Sequence, residues 1–249
     1  MEQHIVDAAN AIRSERYPEA SAVFAAGSIL RGEGTSRSDL DLVVVYSKLT
    51  CAYRESFMRE RLPVEVFVHD PETLEFFFFE VDRPSGIPSL PNMVMEGIEI
   101  PAPNELSRSL KQVAASLIAA GPPGLDEEAE QRARYAVTDL VDDLRDRRSH
   151  DELVATGALL YERLADYHLR RLRLWSARGK AIPRALRRAD PVLCARYCRS
   201  FDSLFRSGGV REVIELTEDL LAPAGGFLFD GFRSDAPASW RKIAPDQAI

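Results

Sequence analysis

Gly27-Ser28, followed after the loop 29–38 by Asp39-Leu40-Asp41-Leu42-Val43-Val44-Val45, is the stretch that decides the fold of this chain. The β-branched run is typical of a buried strand, and the small apolar residues at 20–26 predict a second strand that ends at Gly27. Side chains alternate along a strand, so Asp39 and Asp41 should share one face with Cα atoms about 6.5–7 Å apart. At this spacing two carboxylates can bind divalent cations between them.

The Asp-x-Asp pattern alone leaves a structural alternative open, in which both aspartates cap the strand and face water. The preceding Gly-Ser favours a functional interpretation. Gly27 lets the main chain approach a ligand without a Cβ atom in the way. Ser28 offers a hydroxyl and an N–H group to a phosphate. The combined pattern therefore predicts a site for a metal ion and a phosphorylated ligand.

These residues resemble the signature of nucleotidyltransferases of the polymerase-β type. The resemblance implies that Asp39 and Asp41 bind Mg²⁺, with two ions in the working site. It also implies that Gly27 and Ser28 contact the phosphates of a nucleoside triphosphate, with ATP as the expected substrate. Such sites normally contain a third carboxylate on a neighbouring strand, and Glu65 is the candidate.

The segment Val64-Glu65-Val66, followed by apolar residues and His69-Asp70, is similar to a strand of the aminoglycoside adenylyltransferases that act on streptomycin and spectinomycin. In that family the strand glutamate is the catalytic base, which implies the same role for Glu65. Two alternatives stay open: Glu65 can ligate the second metal ion, or it can be an exposed residue of an edge strand.

Further candidates for nucleotide binding are Ser38, Arg31 and Lys180. Arg31 lies in the loop before the aspartates, where a guanidinium can reach a triphosphate. The resemblance suggests Lys180, because two-domain members of the superfamily often supply a lysine from the second domain. A solvated loop arginine and a lysine at a helix C-terminus are the simpler alternatives.

The patterning predicts an α/β nucleotidyltransferase domain, with a mixed sheet and helices, over residues 1–120, and an all-α helical bundle over 121–249. In the first domain we expect a helix containing Ile5 and Ile12, a charged helix over 52–61, a strand over 92–100, and a helix from Asn104 to Ala120. From residue 121 onward the apolar residues follow helical periodicity, and Gly/Pro-containing segments separate the helices.

The composition excludes several protein classes. A chain of 249 residues with 45% hydrophobic and 29% charged residues is not a disordered, collagen-like or disulfide-dense protein. It contains no run of eighteen apolar residues, and its first residues do not match a signal peptide, so we expect a cytoplasmic location with no membrane partner. We expect its three cysteines to be reduced thiols. The net charge is −7, yet residues 131–211 hold 18 basic and 10 acidic residues and carry +8.

The functional expectation is Mg²⁺-dependent transfer of a nucleoside monophosphate, AMP from ATP, to a hydroxyl of a small molecule. The resemblance points to an aminoglycoside-like acceptor and thus to antibiotic resistance. Modification of a protein or tRNA in a toxin–antitoxin-like system is an alternative, and a non-catalytic nucleotide-binding module is another. Acidic composition and few aromatic residues among the arginines argue against a nucleic-acid partner. The sequence leaves the oligomeric state open.

Overall fold

A computed structural model describes residues 2–35, 37–146, 148–237 and 240. The chain divides into two compact units, Met1–Pro123 and Gly124–Ile249. The first unit contains a sheet with helices, and the described part of the second is helical, so the predicted fold class is confirmed. The sequence-based boundary between residues 120 and 121 stays a prediction.

The first unit contains five strands and five α-helices among its described residues. In chain order these are α1 (Glu2–Arg16), β1 (Ala22–Ala26), β2 (Leu40–Val45), β3 (Tyr53–Arg59), β4 (Leu62–His69), α2 (Pro71–Phe76), α3 (Arg83–Ser85), α4 (Ser89–Glu96), β5 (Ile98–Ile100) and α5 (Glu105–Ala120). A π-helical turn, Phe77–Asp82, joins α2 to α3. Asn104 caps α5 as predicted, because its side chain accepts the Ser107 N–H while the Ser107 hydroxyl accepts the Asn104 N–H.

The five strands form one mixed sheet in the order β3-β4-β2-β1-β5. Strands β2 and β4 are parallel, and the other neighbouring pairs are antiparallel. Helix α1 packs Ile5, Ala9 and Ile12 against the face that carries Leu40, Leu42 and Val44 of β2 and their neighbours. Asp41 and Val43 alternate with those residues and point to the opposite face, where α4 contacts β1 and β2.

The prediction of a charged helix over residues 52–61 is wrong, because this segment forms the edge strand β3. Alternate side chains of β3 are held by α1 and the residue that follows it: the Tyr17 hydroxyl donates to Glu55 (2.6 Å), the Arg16 guanidinium lies over the Phe57 ring, and Arg59 pairs with Glu15. These partners stabilise charged residues on the inner face of a strand. The many charged residues of 52–61 led to the prediction of an exposed helix. The partners that hold these charges on a strand are distant in sequence, so the local sequence does not reveal them.

The prediction of a strand over residues 92–100 is correct only for its last three residues. Residues 92–96 belong to α4, whose N-terminal turn is held by Asp82, since its carboxylate accepts the Leu90 N–H (2.8 Å). Val94 is fully buried on this helix. Ile98–Ile100 then pairs with β1.

The second unit is built around a separate hydrophobic core. Its α-helices among the described residues are α6 (Glu127–Arg145), α7 (His150–Arg171), α8 (Ile182–Ala189), α9 (Pro191–Ser207) and α10 (Arg211–Leu221). Leu160 and Leu164 of α7 are fully buried in that core together with Tyr197 of α9 and Leu216 of α10. Gly157 allows α7 to approach α9 closely, because a Cβ atom there would lie 2.4 Å from Leu204 Cδ2.

Candidate nucleotide and metal site

Three carboxylates meet on one face of the sheet in the first unit. Asp41 on β2 is the register partner of Glu65 on the parallel strand β4, and Asp39 directly precedes β2. One carboxylate oxygen from each of Asp39, Asp41 and Glu65 lies within 4.8 Å of the other two. All three residues are partly buried. The structure thus brings together the three acidic residues singled out in the sequence.

The turn after β1 lies against this acidic cluster. Ala26, the last residue of β1, is the register partner of Asp41, so Gly27 follows at the level of the carboxylates. Gly27 has φ +98°, and a Cβ atom on it would lie 2.4 Å from Asp41 Oδ2. Ser28 is buried, and its carbonyl accepts the Glu33 N–H (3.0 Å). A glycine is therefore required here on two grounds, the backbone conformation and the space taken by Asp41.

Without a cation, simultaneous ionisation of Asp39, Asp41 and Glu65 is unfavourable, because the three carboxylates repel one another. Burial, together with the charges of Asp39 and Glu65, raises the pKa of Asp41 to about 6, while Arg31 and Arg54 oppose this shift. A divalent cation would offset the same repulsion. Oxygen ligands at this density suit a hard cation such as Mg²⁺, so the donor set fits the metal that the sequence pattern implies.

Comparison of the sequence with known families agrees with this geometry. Residues 6–89 match the nucleotidyltransferase domain family. The match includes most of α1, all of β1 to β4 and the three carboxylates. The chain is also similar to the crystal structure of a nucleotidyltransferase-like protein from Exiguobacterium sibiricum 255-15, with 15% identity and a TM-score of 0.41, covering 88% of this chain and 75% of that one. No curated protein matches the chain.

Within the first unit, sequence reasoning missed Arg54. Its Nη2 atom donates a hydrogen bond to Glu65 Oε2 at 2.6 Å, and its guanidinium lies 4.8 Å from the centre of the Phe67 ring. Arg54 is on β3, which the sequence predicted as a helix. The alternation of Arg54 and Ser56 with Tyr53, Glu55 and Phe57 is the signal that could have placed it beside β4.

The other predicted nucleotide-binding residues lie in different environments. Arg31 is in the loop after Gly27-Ser28 and pairs with Glu33 (3.3 Å) and Glu96 (3.6 Å). The Ser38 hydroxyl accepts the Thr35 N–H (2.8 Å), so it also shapes this loop. Lys180 is exposed on a 3₁₀ turn, Gly179–Ala181, in the second unit. Contact of each of these residues with a nucleotide stays a prediction.

Among the residues that the structure describes, no helix is both long enough and apolar enough to span a bilayer.

Proposed function

We propose that this protein is a Mg²⁺-dependent nucleotidyltransferase that transfers AMP from ATP to a hydroxyl group of a small molecule, with aminoglycosides as the first acceptor class to test. The observation that carries the proposal is the cluster of Asp39, Asp41 and Glu65 beside the Gly27-Ser28 turn. The family match over residues 6–89 supports nucleotidyl transfer as the reaction class. The aminoglycoside acceptor rests on the resemblance of the β4 sequence.

Nucleotidyl transfer is an in-line displacement at the α-phosphorus, in which the acceptor oxygen attacks and pyrophosphate leaves. Asp39 and Asp41 would hold the divalent cation, which supplies charge stabilisation at the phosphates when bound. The Gly27-Ser28 turn would contact the phosphates through main-chain N–H groups and the Ser28 hydroxyl. Ser38, Arg31 and Lys180 are the further proposed nucleotide contacts.

Glu65 is the proposed base for the acceptor hydroxyl. It lies on the strand next to Asp41, so a hydroxyl placed near the α-phosphate would be within reach of its carboxylate. One oxygen, Oε2, already accepts a hydrogen bond from Arg54. The other oxygen would take the proton as the new O–P bond forms and the bond to pyrophosphate breaks.

The decisive experiment incubates the full chain with Mg²⁺ and labelled ATP, GTP, CTP or UTP against a panel of aminoglycosides, a protein lysate and total tRNA. The proposal expects label from ATP on a small molecule together with pyrophosphate release. Label on a protein or on tRNA would instead assign the toxin–antitoxin-like activity. Binding without pyrophosphate release would assign a non-catalytic module.

The Asp39→Asn variant tests the site within the same assay. The substitution removes one anionic ligand from a partly buried position near the start of β2, and it leaves the strand intact. We expect metal-dependent turnover to be lost while the melting temperature stays within a few degrees of the wild type. Wild-type turnover in Asp39→Asn would show that the carboxylate cluster is not the catalytic centre.

A further inference from the structure

Arg54 contacts the acidic cluster from the edge strand of the sheet. It sits diagonally across from Glu65, since Ser56 is the register partner of Glu65 and Arg54 that of Phe67. Its guanidinium is fixed between two neighbours, the Phe67 ring on one side and Glu65 Oε2 at 2.6 Å on the other. A charge-assisted hydrogen bond of this length is strong for its class.

This arrangement puts a positive charge directly beside the carboxylate cluster. Arg54 is hydrogen-bonded to Glu65, a member of the cluster, whereas Arg31 pairs with Glu33 and Glu96 outside it. The Arg54 side chain is also 56% exposed, so it can move away without opening the core.

We propose that Arg54 is a positioning residue that competes with the divalent cation for Glu65. In the metal-free protein its guanidinium occupies Glu65 and offsets part of the negative charge of the cluster. Without nucleotide and acceptor, the cation would take Glu65 as a third carboxylate ligand beside Asp39 and Asp41. Glu65 must then be shared with or released by Arg54, which weakens the intrinsic affinity for the cation. This inference rests on the proposed metal-binding function of the same cluster and adds a residue that sets its affinity.

If Arg54 competes with the cation, its removal should change the metal affinity in the opposite direction from removal of a purely structural arginine. Removing a structural support should loosen the cluster and weaken metal binding. Removing a competitor should strengthen it, because Glu65 becomes free and a like charge leaves the neighbourhood of the cation. For a half-exposed ion pair we expect Arg54→Gln to bind Mn²⁺ about three- to tenfold more tightly than the wild type.

The test titrates Mn²⁺ into the full chain without nucleotide and measures free Mn²⁺ by electron paramagnetic resonance. Arg54→Lys keeps the charge and should stay closer to the wild type than Arg54→Gln. Arg59→Gln is the matched control: it removes an ion pair of equal length from the same strand, that with Glu15 on the α1 face. This control should leave the Mn²⁺ affinity within about twofold of the wild type.

A double-mutant cycle then tests whether Arg54 acts through Glu65. In a Glu65→Gln background, Arg54→Gln should lose most of its strengthening effect. Equal or weaker Mn²⁺ binding by Arg54→Gln, or an undiminished effect in the Glu65→Gln background, would overturn the proposal. Failure of the wild type itself to bind Mn²⁺ is a different result, since it would reject the proposed metal site and with it the competition.

Discussion

At the scale of single residues, Gly27 does more than relax the backbone. Its φ of +98° is one requirement, and the approach of Asp41 Oδ2 is a second that depends on the missing Cβ atom. Gly32, in the same loop, has φ +71°, but a Cβ atom added there would meet nothing within 4 Å. Substitution of Gly32 should therefore cause backbone strain only, whereas substitution of Gly27 should cause backbone strain and also displace the Asp41 carboxylate.

We predict that Gly27→Ala and Gly32→Ala each cost about 1 kcal/mol of stability, because alanine is strained at positive φ. Only Gly27→Ala should also push Asp41 from its place, so it alone should weaken Mn²⁺ binding by about tenfold or more. Urea unfolding and Mn²⁺ titration of both variants check this. Equal loss of Mn²⁺ affinity in the two variants would mean that the glycine is needed for its conformation only.

The raised pKa of Asp41 predicts a stability that depends on pH. The folded-state pKa is about 6, whereas an aspartate in an unfolded chain has a pKa of about 4, so the folded protein binds the proton more tightly. The associated stability is fully present below about pH 4 and is lost as the pH rises through about 6. At pH 7.5 without metal, Asp41→Asn should therefore be more stable than the wild type by about 1–2 kcal/mol, a value reduced for partial exposure.

Urea unfolding at about pH 4 and about pH 7.5 measures this difference, which should disappear at the lower pH. Adding Mn²⁺ at the higher pH should stabilise the wild type and not Asp41→Asn. The control is Asp139→Asn on the exposed surface of α6, which should change the stability little at either pH. A destabilised Asp41→Asn at the higher pH would contradict the assigned effect of burial and neighbouring charge.

At the scale of elements, the parts of the fold set by local chemistry were predictable and the parts set by distant partners were not. The α1 helix, the strands β1, β2 and β4, and the capped start of α5 follow from periodicity, β-branched runs and Asn104. These elements position Asp39, Asp41 and Glu65, so the acidic cluster could be anticipated.

The local signals for the β3–β4 hairpin are weak, apart from the alternation of side chains along residues 53–57. Its two-residue turn, Glu60-Arg61, contains no glycine or asparagine, although Glu60 adopts φ +56°. The charges of β3 are accommodated by residues of α1 and Tyr17, far earlier in the chain. Because a helix was predicted over residues 52–61, Arg54 was not recognised as part of the site, although it is hydrogen-bonded to Glu65.

At the scale of the whole molecule, the net charge of −7 is the sum of unlike regions. The basic stretch 131–211 lies wholly within the second unit, whereas the acidic cluster lies in the first. Among the described residues, one cluster of buried hydrophobic side chains lies within residues 5–100 and a separate one lies within 137–221. Each unit therefore has a core of its own.

This separation predicts that core damage in one unit spares the site in the other. Leu164→Ala removes a fully buried side chain from the helical core and should cost about 2–5 kcal/mol. It should leave the Mn²⁺ affinity of the acidic cluster within about twofold of the wild type. Leu42→Ala, equally buried but adjacent to Asp41, should lower both the stability and the Mn²⁺ affinity.

Both variants should be compared by urea unfolding and by Mn²⁺ titration under conditions where circular dichroism shows a folded protein. Loss of Mn²⁺ affinity in Leu164→Ala as large as that in Leu42→Ala would show that the two cores depend on each other.

The parallel pairing of β2 with β4 has a consequence for how such sites vary among proteins. Asp41 and Glu65 are aligned by the sheet and not by the length of chain between them, so the connecting segment can gain or lose residues without moving either carboxylate. Asp39 and Asp41 have no such freedom, because a single insertion between them would turn one to the other face. A search for related sites should fix the first spacing, within Asp-x-Asp, and leave the distance to the glutamate open.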